Sequence, residues 1–275
     1  MHAIGPQSAI AELLAYRHLW WSLTWRDLRV RYKQSLLGIA WAVLIPLSTA
    51  LVFTFVFTRA VNVVDRLGLD MPYVLFAYSG LVPWTLFSTS LNGCVNSLVA
   101  NRNLVTKVYF PREVFPLSAI GSALIDCCVA WTVLVGLMAY FHFFSNEWAY
   151  APRATLLLVP VVLGVQLVLT AGLGMLLAMS NLFFRDVRQI FSVAINLWMF
   201  LTCVVYPLPT DNSRLGWIVA LNPMTPIIEG YRDCIIFGQS PFSGRFLFAT
   251  VVSLVIFAVG WWCFRRKAYR FAECV

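Results

Sequence analysis

Three basic residues near the start of the chain have a spacing that suits the binding of an anion. Arg26, Arg29 and Lys33 stand at i, i+3 and i+7, so on a helix they project from one face. The tryptophans that precede them are typical of a helix at headgroup depth, with its bases directed to lipid phosphates. We therefore predict an amphipathic interfacial helix over residues 8–35. Its bases either guide a substrate or only anchor the chain, and both roles stay open.

A second set of polar residues lies inside apolar segments. Ser88, Asn92 and Asn96 recur at every fourth position and share one helix face. Asp126 lies near the middle of an apolar run, where a carboxylate costs about 2.5–3.5 kcal/mol on insertion scales. Such residues either line a path or pack one helix against another. For Asp126 the alternatives are a conduit or subunit-contact residue and a structural hydrogen bond within its own or a neighbouring helix.

A path for a sugar polymer would also need aromatic side chains, because the faces of pyranose rings are apolar and stack on them. Aromatic residues are frequent along the first two apolar segments. The candidate lining residues are Trp41, Tyr78, Trp84, Phe87, Ser88, Asn92, Asn96 and Asp126. Most aromatic residues of a membrane protein face lipid or the interface. Both a lining role and a lipid-facing role therefore stay open for these aromatic residues.

The residue patterns of common catalysts are missing. No glycine is followed by lysine, so a Walker A motif cannot occur, and H-E-x-x-H and G-x-S-x-G patterns are absent too. The three histidines are scattered and the seven cysteines form no C-x-x-C pair. Glu229 and Asp233 lie one helical turn apart beside Arg232, as on a salt-bridged helix face. We expect no catalytic residue, metal site or cofactor in this chain.

The elements that position these residues follow from composition. Of 275 residues, 60% are hydrophobic and 12% are charged, half the charge of an ordinary soluble domain. This excludes a soluble enzyme, a disordered protein and a nucleic-acid-binding domain. We predict an all-α integral membrane protein with one transmembrane domain, 1–275. Its six predicted spans are residues 36–58, 73–99, 114–144, 155–182, 190–206 and 246–264.

The basic residues orient these spans. Of the 20 Lys and Arg residues, 14 fall in the N-terminal segment, the loops after the second and fourth spans, and the C-terminal tail. Because positive residues are retained on the cytoplasmic side, both termini are predicted to face the cytoplasm from a multi-pass protein of the cytoplasmic (inner) membrane.

Two connecting segments differ from ordinary loops. Residues 101–116 form a short cytoplasmic stretch of mixed polarity, and its Tyr109 and Phe110 among charges suggest a partner surface. On the outer side, residues 207–245 hold two apolar stretches that are too short to cross and are interrupted by prolines. We predict two short re-entrant helices within residues 207–238.

Four stretches, in order over nearly the whole chain, resemble the permeases of polysaccharide and O-antigen ABC exporters. They are residues 26–38 (RDLRVRYKQSLLG), 101–107 (NRNLVTK) with 110–113 (FPRE), 181–187 (NLFFRDV) and 222–226 (NPMTP). The missing Walker A motif agrees with this resemblance, because the ATPase of such an exporter is a separate chain.

The resemblance implies a type-2 ABC permease, in which a homodimer forms the channel and two cytoplasmic subunits bind ATP and Mg²⁺. The family's substrate is a polyprenyl-pyrophosphate-linked glycan, which Arg26, Arg29 and Lys33 would recruit. Residues 101–112 then form the coupling segment that docks on the ATPase, with residues 207–238 as gate helices. The implied coupling residues are Asn101, Arg102, Lys107, Tyr109, Phe110 and Arg112, and the gate residues are Asn222, Pro223, Thr225 and Pro226.

The first motif is closer to the O-antigen and teichoic-acid branch than to the capsule branch, so O-antigen is the expected cargo and the other two polymers are alternatives. Two other classes stay open: an integral-membrane glycosyltransferase or phosphatase of the same pathway, and a scaffold without transport activity. The absence of an acidic or histidine cluster argues against an enzyme.

Overall fold

The chain forms a bundle of helices. The computed structural model describes residues 15–33, 35–60, 71–107, 111–145, 153–184, 186–206, 219, 221–268 and 271. Within these ranges, the α-helices are α1 (Arg17–Tyr32), α2 (Trp41–Phe55), α3 (Tyr73–Ala100), α4 (Arg102–Lys107), α5 (Val114–Tyr140), α6 (Val159–Phe183), α7 (Val187–Phe200), α8 (Met224–Arg232) and α9 (Gly244–Lys267).

Short turns of other helical types extend several of these helices. A 3-10 turn precedes α2 (Gly38–Ala40) and another precedes α6 (Ala154–Leu158). π-helical turns follow α2 (Val56–Ala60), α5 (Phe141–Ser145) and α8 (Asp233–Phe237). Together they lengthen the apolar helices towards the thickness of a bilayer.

Five helical segments of the described chain are long and apolar enough to cross a membrane. They are Gly38–Thr58, Tyr73–Ala100, Val114–Phe144, Ala154–Phe183 and Gly244–Lys267. Each agrees within a few residues with a predicted span, namely 36–58, 73–99, 114–144, 155–182 and 246–264. The prediction of an all-helical membrane protein is therefore confirmed for the described residues.

The predicted span over residues 190–206 is not confirmed. Helix α7 begins at Val187 and ends at Phe200, and its 14 residues cover ~21 Å at the usual rise. The hydrocarbon core is about 30 Å thick. Apolar composition continues to Tyr206, but the backbone turns there: Cys203 has a φ of +52°, and Asn222 Nδ2 donates to the Leu201 carbonyl (3.2 Å).

Helix α3 is the centre of the bundle. In its most apolar 18-residue stretch 78% of the residues are buried, against 11–33% in the other four spans. Side chains of α6 donate to its backbone: Gln166 Nε2 to the Pro83 carbonyl (2.7 Å) and Asn181 Nδ2 to the Val95 carbonyl (2.8 Å). These bonds satisfy polar groups in an apolar environment and fix α6 against α3.

Helices α6 and α9 cross in van der Waals contact of their backbones. A methyl group added to Gly260 would lie 2.4 Å from the Gly172 carbonyl oxygen, and one added to Gly172 would lie 2.6 Å from Phe257 Cα. Such close approach through small residues is a common mode of helix packing in membranes. Only glycine fits at both positions.

Candidate functional site

The interfacial helix α1 lies against α5. Its Leu23, Thr24 and Leu28 are buried, and Gly121 of α5 allows the contact, since a Cβ there would stand 2.9 Å from Thr24 Oγ1 and 3.0 Å from Trp20 Cζ2. Aromatic residues of α1 outside this contact, such as Trp21 at 55% exposure, remain exposed. The described part of the predicted segment is helical from Arg17 to Tyr32, and its packing on α5 determines where its basic residues reach.

The intramembrane carboxylate of Asp126 is paired with α1. Arg31 Nη1 forms a salt bridge with Asp126 Oδ2, and the Tyr32 hydroxyl donates to Asp126 Oδ1 (2.9 Å). Arg31 Nη2 also donates to Ser122 Oγ (3.3 Å). Burial, and next the hydrogen bond to Asp126, raise the pKa of Tyr32 to about 12, so its phenol stays a donor at neutral pH. The partners of Asp126 thus lie on α1, a helix packed against α5, as the structural alternative from the sequence allowed.

A cavity of about 470 Å³ opens beside this ion pair, where α1 meets α2, α3 and α5. Its wall combines charged, amide and indole groups with aliphatic side chains. The polar and aromatic members are Arg31, Tyr32, Ser35, Trp41, Thr85, Thr89, Asn92 and Asp126. It brings together three of the eight predicted lining residues, from three different helices: Trp41, Asn92 and Asp126.

The other predicted lining residues lie elsewhere. Tyr78 and Phe87 have no exposed surface and Trp84 is 5% exposed, so these three rings pack in the interior of the chain. Ser88 and Asn96 are half-buried on the same face of α3 as the exposed Asn92. Their stripe is confirmed as one helix face. The amides of Asn92 and Asn96 donate to the carbonyls four residues earlier (2.9 and 3.1 Å).

The three predicted anion-binding bases have different environments. Arg26 is held by Asp27 (2.8 Å) and by Asn101 Oδ1 (2.7 Å). Arg29 is exposed, with its guanidinium carbon 5.8 Å from the centre of the Trp25 ring. Lys33 is exposed at the end of α1. Only Arg29 and Lys33 present their charge away from the protein.

The coupling segment contains a short helix, α4, between α3 and α5. Tyr109, Phe110 and the side chain of Lys107 lie outside the described residues, so their predicted role is not tested here. Arg102 is exposed at the start of α4. The Arg112 guanidinium carbon lies 5.9 Å from the centre of the Phe271 ring, which joins the end of the segment to the C-terminal tail.

Asn222, in the predicted gate region, connects three pieces of chain. Its Oδ1 accepts from Trp198 Nε1 and from the Met224 amide (3.1 Å each). Its Nδ2 donates to Thr202 Oγ1 (2.9 Å). Pro223 precedes α8, whose Thr225 and Pro226 are buried. One predicted short helix is therefore present as α8 with its π-helical turn, whereas the earlier stretch is largely outside the described residues.

Sequence reasoning missed the role of Arg232. This side chain is 4% exposed, and it donates to the carbonyls of Cys203 (3.1 Å), Phe76 (3.2 Å) and Val204 (2.5 Å). Gly80 makes room for it, since a Cβ there would stand 2.5 Å from Arg232 Nη2. The sequence pattern had placed Arg232 on a salt-bridged helix face with Glu229 and Asp233, whereas its guanidinium donates to backbone carbonyls. Its geometry ties α8 and the turn after α7 to the central helix.

The described helices form a membrane bundle in which α1 lies beside a polar cavity. Comparison with known families gives the class: residues 18–237 match the ABC-2 type transporter family. The chain belongs to this family. It is a transport subunit and not an enzyme, because ATP hydrolysis in such systems resides in a separate subunit.

Relatives cover almost the full length. The O-antigen export system permease protein RfbA of Myxococcus xanthus is 34% identical over 97% of this chain and 98% of its own. A protein of the same description from Klebsiella pneumoniae is 31% identical over 91% and 92%. The polysialic acid transport protein KpsM of Escherichia coli is 22% identical over 88% and 90%. The resemblance read from the four motifs is thereby confirmed.

Proposed function

We propose that two copies of this chain form the channel of an exporter that moves an O-antigen polysaccharide, carried on polyprenyl pyrophosphate, across the cytoplasmic membrane. Two cytoplasmic subunits bind ATP and Mg²⁺ and drive the transport. Both termini lie in the cytoplasm. Helix α7 and the turn after it make the sixth crossing, since an even number of crossings keeps both basic ends on one side. Helix α8 re-enters from the outer side.

The observation that carries the proposal is the cavity beside the Arg31–Asp126 ion pair. It lies at the α1 end of the bundle, where the proposed orientation places the cytoplasmic leaflet. Arg31 and Asn92 offer hydrogen bonds to phosphate or sugar oxygens, and the exposed Trp41 ring offers an apolar face. A surface helix beside such a cavity suits an amphiphilic substrate, whose lipid stays in the bilayer while its head enters the protein.

The identities of the relatives favour O-antigen over the capsule alternative. The two proteins described as O-antigen export permeases are 34% and 31% identical to this chain, whereas the polysialic acid transport protein is 22% identical. The first of the four motifs, residues 26–38, points the same way. Family membership sets aside the glycosyltransferase, phosphatase and scaffold alternatives.

An apolar helix face supports the proposed homodimer. Helix α7 exposes Ile190, Val193, Leu197 and Phe200 at helical spacing, each with more than half of its surface free. A second copy that packs on this face would enclose a channel between the two chains. The coupling segment then lies on the cytoplasmic side of each copy, where it contacts the ATP-binding subunit.

Arg29 and Lys33 are proposed to recruit the pyrophosphate. Each base near an anionic surface contributes on the order of 1 kcal/mol, so together they raise substrate occupancy roughly tenfold after competition from other anionic lipids. The test uses the permease–ATPase complex in proteoliposomes and measures ATP hydrolysis against the concentration of lipid-linked glycan. Arg29→Gln with Lys33→Gln should raise the half-saturating concentration about tenfold.

The matched control exchanges the bases, as Arg29→Lys with Lys33→Arg, and keeps both charges. It should retain a half-saturating concentration near that of the unaltered complex. Equal membrane levels of all variants exclude an insertion defect. If the glutamine variant responds to the glycan like the unaltered complex, the bases are only an anchor. If the unaltered complex is not stimulated at all, the proposed substrate is wrong.

A further inference from the structure

Arg26 joins the interfacial helix to the start of the coupling segment. Its Nη2 donates to Asn101 Oδ1 (2.7 Å), across 75 residues of sequence. Asn101 is held in turn by its Nδ2, which donates to the Ser97 carbonyl (2.7 Å). Asn101 is also the residue between α3 and α4, and its carbonyl accepts from the amides of Leu104 and Val105 (2.9 and 3.1 Å). The acceptor of Arg26 is therefore part of the first turn of α4.

The other side of Arg26 is fixed by a carboxylate. Asp27 Oδ1 accepts from Arg26 Nη2 (2.8 Å) and Nε (3.2 Å), while Asp27 Oδ2 accepts from Ser118 Oγ on α5 (3.3 Å). A guanidinium is planar, so two fixed partners determine its orientation. Arg26 thus links α1 to the start of α4, and Asp27 links the same turn of α1 to α5.

The far end of the coupling segment is held by a different helix. Glu113 is 4% exposed, and its Oε1 accepts from Arg265 Nε (2.7 Å). The segment is therefore bound to α9 at its end and to the interfacial helix at its beginning. The contact through Arg26 reaches α1, whose Arg31 and Tyr32 line the cavity.

We infer that Arg26 is a positioning residue that transmits movement of the coupling segment to the interfacial helix, and that it does not recruit the substrate pyrophosphate. The inference rests on the proposed function, in which this segment contacts the ATPase. A displacement of α4 moves Asn101, and the hydrogen bond from Arg26 transmits this movement to α1. Helix α1 carries Arg31 and Tyr32, which line the cavity. Arg29, one turn further along α1, makes no such contact among the described residues.

The experiment measures two quantities in proteoliposomes of the permease–ATPase complex: ATP hydrolysed per glycan exported, and the glycan concentration that half-saturates hydrolysis. Arg26→Gln should raise the first by about tenfold or more, the range expected for a lost hydrogen bond to a charged group, and leave the second unchanged. Arg26→Lys, which keeps a charged donor, should recover part of the loss. Arg17→Gln removes the same charge from the exposed start of α1 and should leave the ratio as in the unaltered complex.

Asn101→Ala provides an independent variant of the same link. It should raise the ratio like Arg26→Gln, and the double variant should be no worse than either single one, because both remove one contact. If the Arg26→Gln variant does not assemble with the ATPase, the result for Asn101→Ala alone decides whether the inference holds.

If Arg26→Gln shifts the half-saturating glycan concentration and leaves the ATP hydrolysed per glycan exported unchanged, the inference is overturned, and Arg26 recruits the substrate together with Arg29 and Lys33. An unchanged ratio in Asn101→Ala, or additive effects in the double variant, would overturn it as well. Failure of the proposed function looks different, because the unaltered complex itself would then show neither export nor stimulated hydrolysis.

Discussion

The crossing of α6 and α9 gives the sharpest test of the packing. Gly172→Ala places a methyl group 2.6 Å from Phe257 Cα and 2.7 Å from its amide nitrogen. Ordinary contact begins at 3.4 Å, so the helices must separate by close to 1 Å or tilt. Both atoms belong to the backbone and cannot rotate away. Overpacking of this kind costs about 1–3 kcal/mol, and the displaced helices also lose dispersion contacts along their length.

The assay is thermal unfolding of the purified chain in detergent, with Gly164→Ala as the control. Gly164 lies two turns earlier on α6 and has open space around its Cα. The same substitution there adds only helix propensity, about 0.5–1 kcal/mol in favour of the variant. Gly172→Ala should lower the apparent Tm by several degrees, while Gly164→Ala leaves it unchanged or raises it. Equal apparent Tm values for the two variants would refute the close crossing.

Two further outcomes are expected. Arg31→Met leaves the Asp126 carboxylate without its cation in an apolar region and should lower the free energy of unfolding by about 1–3 kcal/mol. Arg31→Met with Asp126→Leu removes both charges, so this double variant should unfold at a higher temperature than Arg31→Met alone. Additive losses in the apparent Tm of this cycle would contradict the pairing. Tyr109→Ala with Phe110→Ala should uncouple ATP hydrolysis from export, because apolar anchors dominate the energy of interfaces. The measurement uses vesicles that contain the permease and the ATPase, with the permease in the membrane at its normal level. Unchanged export would exclude the docking role.

The sequence alone determined the class of the protein and most of its helices. In a bilayer, the backbone of a continuous apolar run of about 20 residues must satisfy its hydrogen bonds internally, and a helix does this. This is a local property, so the five long helices follow from composition, and α3 and α5 begin at the predicted residues, Tyr73 and Val114. The permease family was likewise readable from four short motifs in order.

The tertiary structure decided which polar side chains meet. On a helical wheel Arg26, Arg29 and Lys33 share one face. In the structure Arg26 donates a hydrogen bond to Asn101, which lies 75 positions away in the sequence. For Asp126 the sequence left open a conduit or subunit-contact role and a structural bond within its own or a neighbouring helix, and the tertiary structure shows that its cation is Arg31 of α1. Hydropathy extended the fifth span to Tyr206, but distant Asn222 and Arg232 hold the carbonyls of residues 201, 203 and 204 in a turn. Such contacts depend on how separate helices pack, and periodicity along one helix carries no information about them.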